Sequence, residues 1–158
     1  MKHNIDIQKS LEPEPGFLPS NEQFKSWSNA ALSELNDTTE MTIRLVDPHD
    51  IQALNQTYRH KNKPTNVLSF PADIPDEVGI NLLGDIIICP SVVEKEALEQ
   101  EKKIDAHWAH MVVHGVLHLL GYDHLNDNDA NEMETKEIEI LSQFGYANPY
   151  LEEEDLKK

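Results

Sequence analysis

A single cysteine, Cys89, among 158 residues excludes an intrachain disulfide. No apolar run nears the roughly 20 residues that a membrane-spanning helix needs. The first residues also lack the basic, then apolar, then small-residue layout of a secretory leader, so cytoplasm is the expected compartment. Basic residues are scarce. Thirteen Lys plus Arg stand against 29 Asp plus Glu, a formal charge of -16. A field of that sign repels polyanions, which argues against a nonspecific nucleic-acid binder and gives no expectation of a DNA or membrane partner. There is no internal repeat, and no linker long enough to split the chain. Residues 1–150 are therefore expected to form one domain, with "LEEEDLKK" at 151–158 an acidic, frayed tail.

What is present argues for a folded body: 39% hydrophobic and 27% charged residues, with Leu, Ile and Val in periodic blocks. "NIDIQ" at 4–8 alternates as a strand does, and "LEPEPGFLP" after it is loop chemistry. Phe24, Trp27, Ala31, Leu32 and Leu35 fall on one face of a helix over 21–35, and "MTIRLV" at 41–46 reads as a second strand. Asp47 as N-cap and Pro48 as first helical residue open the next helix, whose buried stripe is expected to be Ile51, Leu54 and Tyr58. "NVLSF" at 66–70 and "NLLGDIIIC" at 81–89 predict two further strands around an acidic, Pro-rich loop. Ser91 is the expected cap of the helix that follows. Two more helices are predicted over about 104–120 and 128–144, the last presenting Met133, Glu137, Ile140, Leu141 and Phe144 to one side. Strands alternating with helices predict a mixed α/β domain, a small, mostly parallel sheet of about four strands flanked by about five helices.

The densest chemistry is "HGVLHLLGYDH" at 114–124. At about 100° per residue, His114 and His118 stand one above the other on a helix face. Gly121 lies where a left-handed cap is expected, and the chain can then reverse to bring His124 back to the pair. Three neutral imidazoles suit one Zn²⁺ and, less selectively, other divalent transition metals, and they leave one coordination position open, as catalytic sites do. The surrounding Val112, Val113, Val116, Leu117, Leu119 and Leu120 make the helix apolar all round and therefore central. His107 and His110 lie one or two turns earlier, as pocket residues or as purely structural ones. The spacing of the three histidines and the glycine coincides with the metzincin protease signature, but Gly115 stands where those enzymes carry the Glu that acts as general base. Peptidase chemistry by that route is not expected. A metal-activated water can attack another electrophile, such as a phosphodiester.

The same segment resembles the signature of the YbeY family of bacterial endoribonucleases. "YRHKNKPTNVLSFP" at 58–71 and "LGDIIICP" at 83–90 look like the family's other two blocks, in order. The resemblance implies a metal-dependent, single-strand-specific endoribonuclease of ribosomal RNA maturation, including small-subunit rRNA 3′-end processing and ribosome quality control. Its partners would be single-stranded ribosomal RNA and the ribosome or ribosome-associated proteins. It implies further that His114, His118 and His124 bind zinc, and that Arg59 is the catalytically important basic residue. Arg59 belongs to the one concentrated basic segment of the first hundred residues, with His60, Lys61 and Lys63. A guanidinium can pair two phosphate oxygens as charge develops on them. The general base stays open between Asp85 and Asp123, either of which can instead orient a ligand imidazole. Thr65, Asn66 and Ser69 are groove or strand-edge residues, and Tyr122 stacks on a base or packs. Two other functions remain alternatives: a non-catalytic ribosome-assembly factor with a structural metal, and a metalloprotease-like hydrolase.

Overall fold

The computed structural model describes residues 3–10, 17–35, 38–72, 82–122 and 126–150. The described chain is a mixed α/β fold: β1 (Asn4–Ser10), α1 (Asn21–Ala31), β2 (Glu40–Val46), α2 (Pro48–Arg59), β3 (Val67–Pro71), β4 (Leu82–Ile88), α3 (Pro90–Glu99), α4 (Ile104–Leu119) and α5 (Asp127–Ser142). The sheet order is β1-β2-β4-β3. β1, β2 and β4 run parallel, and β3 pairs antiparallel with β4, Val67 opposite Ile88 and Phe70 opposite Asp85.

Side chains on a strand alternate between faces, and here each face has its own core. Met41, Ile43, Leu45, Val67, Ile86 and Ile88 pack with residues of α1, α4 and α5. Leu68, Ile87 and Val46 pack with Ile51 of α2 on the other face. Trp108 of α4 anchors the larger core, with the Phe24 ring edge-on at 5.6 Å. α4 is buried almost continuously. From His107 to Leu119, the residues that are not fully buried are His114 and His118.

Local chemistry explains most element ends. Ser20 and Gln23 form a reciprocal capping box at the start of α1, with Gln23 N donating to Ser20 Oγ at 3.1 Å and Ser20 N donating to Gln23 Oε1 at 2.9 Å. α1 stops at Ala31, short of the expected 35, yet Leu32 stays buried and Leu35 still packs on the core. Asp47 caps α2 by backbone position alone, ahead of Pro48. The expected cap of α3 is corrected: Cys89, not Ser91, is its N-cap, because Pro90 already has the backbone angle of a first helical residue. Tyr58 is corrected too. It is 61% exposed rather than part of the buried stripe of α2, because the last turn of that helix reaches the sheet's edge strand, where its ring meets Phe70.

Candidate functional site

The sequence of α4 is apolar enough to bury the helix, so its two partly exposed histidines mark where the core opens. His114 Nε2 and His118 Nε2 stand 3.2 Å apart. Two nitrogens on one tetrahedral zinc at about 2.0–2.1 Å are separated by about 3.3 Å, so the pair fits one edge of such a site. The pair opens into a groove of about 700 Å³ that follows β3, the edge strand among the described residues, walled also by Tyr58, Arg59, Asn66, Ser69, Phe70 and Tyr122. The groove brings the C-terminal ends of α2 and α4, which cover opposite faces of the sheet, to one cleft.

Arg59 is the last residue of α2, and His60 ends that helix in a left-handed conformation, φ 58°. The basic segment beyond it is folded back onto the helix. Asn55 Nδ2 donates to the Lys63 carbonyl at 2.9 Å, and Gln52 Nε2 donates to Asn62 Oδ1 at 3.0 Å. Arg59 is thus presented from an ordered corner. Gly121, at φ +101°, takes the positive angle that a reversal after α4 requires, and its amide donates to the His118 carbonyl at 3.0 Å. His124 and Asp123, expected as third ligand and as candidate base, lie outside the described residues.

Behind the pair sits a residue whose role was not read from sequence. Glu137, on the inner face of α5, is fully buried. Its Oε1 accepts from His114 Nδ1 at 2.9 Å, and its Oε2 accepts from His110 Nε2 and from the Tyr150 hydroxyl, both at 2.5 Å. A carboxylate on Nδ1 fixes the ring's tautomer and turns Nε2 outward as the unprotonated nitrogen. Burial pushes the Glu137 carboxyl up, but the hydrogen bonds from His110 and His114 and their charge outweigh it and hold the group down to about 2. Burial lowers His110 from 6.5 in spite of Glu137, and burial together with Glu137 raises Tyr150. The signal for Glu137 was present: an acid between Met133 and Ile140 on an apolar face must find partners when buried.

His110, His114 and Glu137 form a group that could hold a metal ion, their ligand atoms lying within 4.8 Å of one another. Two sets of donors therefore share His114, one through Nδ1 and one through Nε2. The inner set already satisfies both carboxylate oxygens with hydrogen bonds. The outer set faces the groove that a substrate can enter.

The other expected residues are distributed as follows. His107 Nε2 lies 3.1 Å from Glu96 Oε1, away from the pair. Asn66 lines the groove but also donates to Glu96, at 3.1 Å, and Ser69 Oγ donates to the Gly115 carbonyl at 3.0 Å. Tyr122 lines the groove and packs on the core, whereas Thr65 is not among the described lining residues. Asp85 is not among them either. It alternates with Ile86 and shares the sheet face of Ile87, opposite α4. Gly115 faces the sheet, where an added Cβ would come within 3.1 Å of Ile86 and 3.3 Å of Val67. That position has no room for a carboxylate side chain.

A buried helix that turns two imidazoles into an open cleft, with a carboxylate locking one from behind and Arg59 on the cleft wall, defines a small α/β protein built around a histidine-bearing helix whose side chains could hold a metal. The family model for endoribonuclease YbeY matches residues 17–145, and the chain belongs to that family. The chain is also similar to the solution structure of TM1509 from Thermotoga maritima, described as VT1, a NESGC target protein. The identity is 25% and the TM-score 0.58, over 93% of this chain and 99% of that one.

Proposed function

We propose that the groove is the active site of a zinc-dependent endoribonuclease that cuts single-stranded ribosomal RNA, within a single metallohydrolase domain spanning 1–150. Endoribonuclease activity in rRNA maturation goes with the family. The observation that carries the finer reading is the cleft shared by Arg59 and the His114–His118 pair. On this reading His114, His118 and His124 are the metal ligands. A bound transition-metal ion supplies Lewis-acid charge neutralisation and acidifies water near neutral pH. Arg59 binds the nonbridging oxygens of the scissile phosphate and stabilises the charge that develops there. Glu137 holds His114 in the tautomer that binds metal. Processing of the small-subunit rRNA 3′ end, ribosome quality control, a cytoplasmic location and contacts with the ribosome or its associated proteins belong to the same proposal.

The test is cleavage of a single-stranded ribosomal RNA fragment by wild type, Arg59→Ala and His114→Ala, with the metal content of each preparation measured. The reading requires that wild type cut, that both variants fail, and that Arg59→Ala keep its metal. Equal cleavage by all three would assign the activity to a contaminant. No cleavage by fully metallated wild type would leave a structural metal in an assembly factor.

A further inference from the structure

We propose that Tyr58, seated on Phe70, is a stacking subsite for an unpaired nucleobase next to the phosphate that Arg59 holds; the proposal rests on the endoribonuclease reading. Helical periodicity puts Tyr58 in line with Ile51 and Leu54, and Ile51 is buried against Leu68 and Ile87. Leu54 still packs on that core, but one turn beyond Leu54 the helix has run past it. Tyr58 is 61% exposed, and its ring is held by Phe70 at a centroid distance of 4.9 Å and an interplanar angle of 68°. Edge-to-face packing engages at most one face of a ring, and with 61% of Tyr58 exposed an aromatic surface stays open to the groove.

The neighbours of that surface point to a nucleotide. Arg59 follows directly in sequence and lines the same groove as His114 and His118. Adjacent helix positions diverge by about 100°, which separates a base contact from a phosphate contact by one side chain. Lys61 and Lys63, both exposed, continue the basic corner. The polar side chains of the opposite wall are already engaged. Asn66 Oδ1 accepts from Val67 N at 2.7 Å while its amide donates to Glu96, and Ser69 Oγ donates to Gly115 O. The Asn66 and Ser69 side chains therefore have little left with which to read a base edge, whereas Tyr58 offers a face to stack on. Such a subsite selects for bases that are unpaired and can splay out, tolerates any sequence, and favours purines for their larger area.

The experiment is fluorescence anisotropy of a labelled single-stranded RNA, checked for integrity after each titration, with metal-loaded wild type, Tyr58→Phe, Tyr58→Leu and Tyr58→Ala. In parallel, one abasic nucleotide is walked along the RNA. Tyr58→Phe should bind within about twofold of wild type, and Tyr58→Leu and Tyr58→Ala about tenfold more weakly. One abasic position should weaken wild type by the same factor and leave Tyr58→Ala unaffected. Leucine keeps apolar bulk on Phe70 but has no π face, so it separates stacking from packing even if the alanine variant fails to fold. The subsite is overturned if Tyr58→Leu binds as wild type does, or if no abasic position loses its effect in Tyr58→Ala. Wild type that cuts RNA in an Arg59-dependent manner alongside normally binding Tyr58 variants would sink the subsite alone. Wild type that neither binds nor cuts would sink the nuclease reading and the subsite with it.

Discussion

Glu137 receives three hydrogen bonds on two oxygens, and each donor comes from a different part of the chain: the second and third turns of α4 and the segment after α5. Replacing it by Gln preserves shape but sets an amide N–H against one of those donors. We expect Glu137→Gln to weaken zinc binding by about 10- to 100-fold, read by competition with a chromophoric chelator. Glu137→Ala should in addition lower the urea-unfolding free energy of the metal-free protein by about 1–3 kcal/mol, because buried ring nitrogens lose their acceptor. The pH dependence has a definite sign. Glu137 is held at about 2 in the folded protein against an ordinary 4.5, so its stabilisation is complete above 4.5 and drains away as pH falls toward 2. His110, lowered by burial from 6.5, acts in the same direction below that value, since the unfolded chain takes up the proton first. The urea midpoint of the metal-free wild type should therefore fall on acidification below 6.5, and Glu137→Gln should show a flatter fall below 4.5. At this scale the pairing of His114 with His118 was legible because both lie on one helix. The bonds of Glu137 were not, since they depend on how α5 meets α4.

Elements were legible where one face had to be buried. The stripe of α1, the alternation in β2 and the all-round apolar α4 each followed from period alone. Ends were less so: Pro90 overrides Ser91 at the start of α3, and α1 yields to a turn after Ala31 although Leu32 and Leu35 continue its apolar pattern. The departure at Tyr58 is of another kind. Its periodicity is correct, but α2 outlasts the strand edge it covers, and no local signal reveals where a sheet ends. Strand pairing had the same obstacle: β2 pairs parallel with β4 although β3 lies between them in sequence, which leaves β3 to join β4 antiparallel at the edge. At Gly84 that pairing leaves its mark. A Cβ there would lie 2.2 Å from the Phe70 carbonyl oxygen, and φ is +137°. Gly84→Ala should cost about 3 kcal/mol, read as a lowered midpoint in chemical denaturation. It should also lower RNA cleavage more than metal content, because it displaces β3, the strand that walls the groove, and leaves α4 in place.

For the molecule as a whole, a charge of -16 and an anionic substrate stand in opposition. The fold resolves this locally. α2 and α4 approach the edge strand from opposite faces of the sheet, so the cationic corner and the imidazole pair share one cleft that no acid lines among the described residues. Few cations are then available to displace counterions from RNA. If Arg59, Lys61 and Lys63 are the groups that meet phosphates, the logarithm of the affinity should fall against the logarithm of salt concentration with a slope no steeper than about -2, since each contact with a single strand contributes about -0.7. Long-range repulsion by the acidic surface relaxes as salt rises and makes the slope shallower still. Anisotropy titrations over a range of monovalent salt measure it directly, and Lys61→Ala and Lys63→Ala should each reduce its magnitude by about 0.7. A slope of -4 or steeper would mean that phosphates meet more cations than this corner holds, and the RNA path would have to extend beyond the groove.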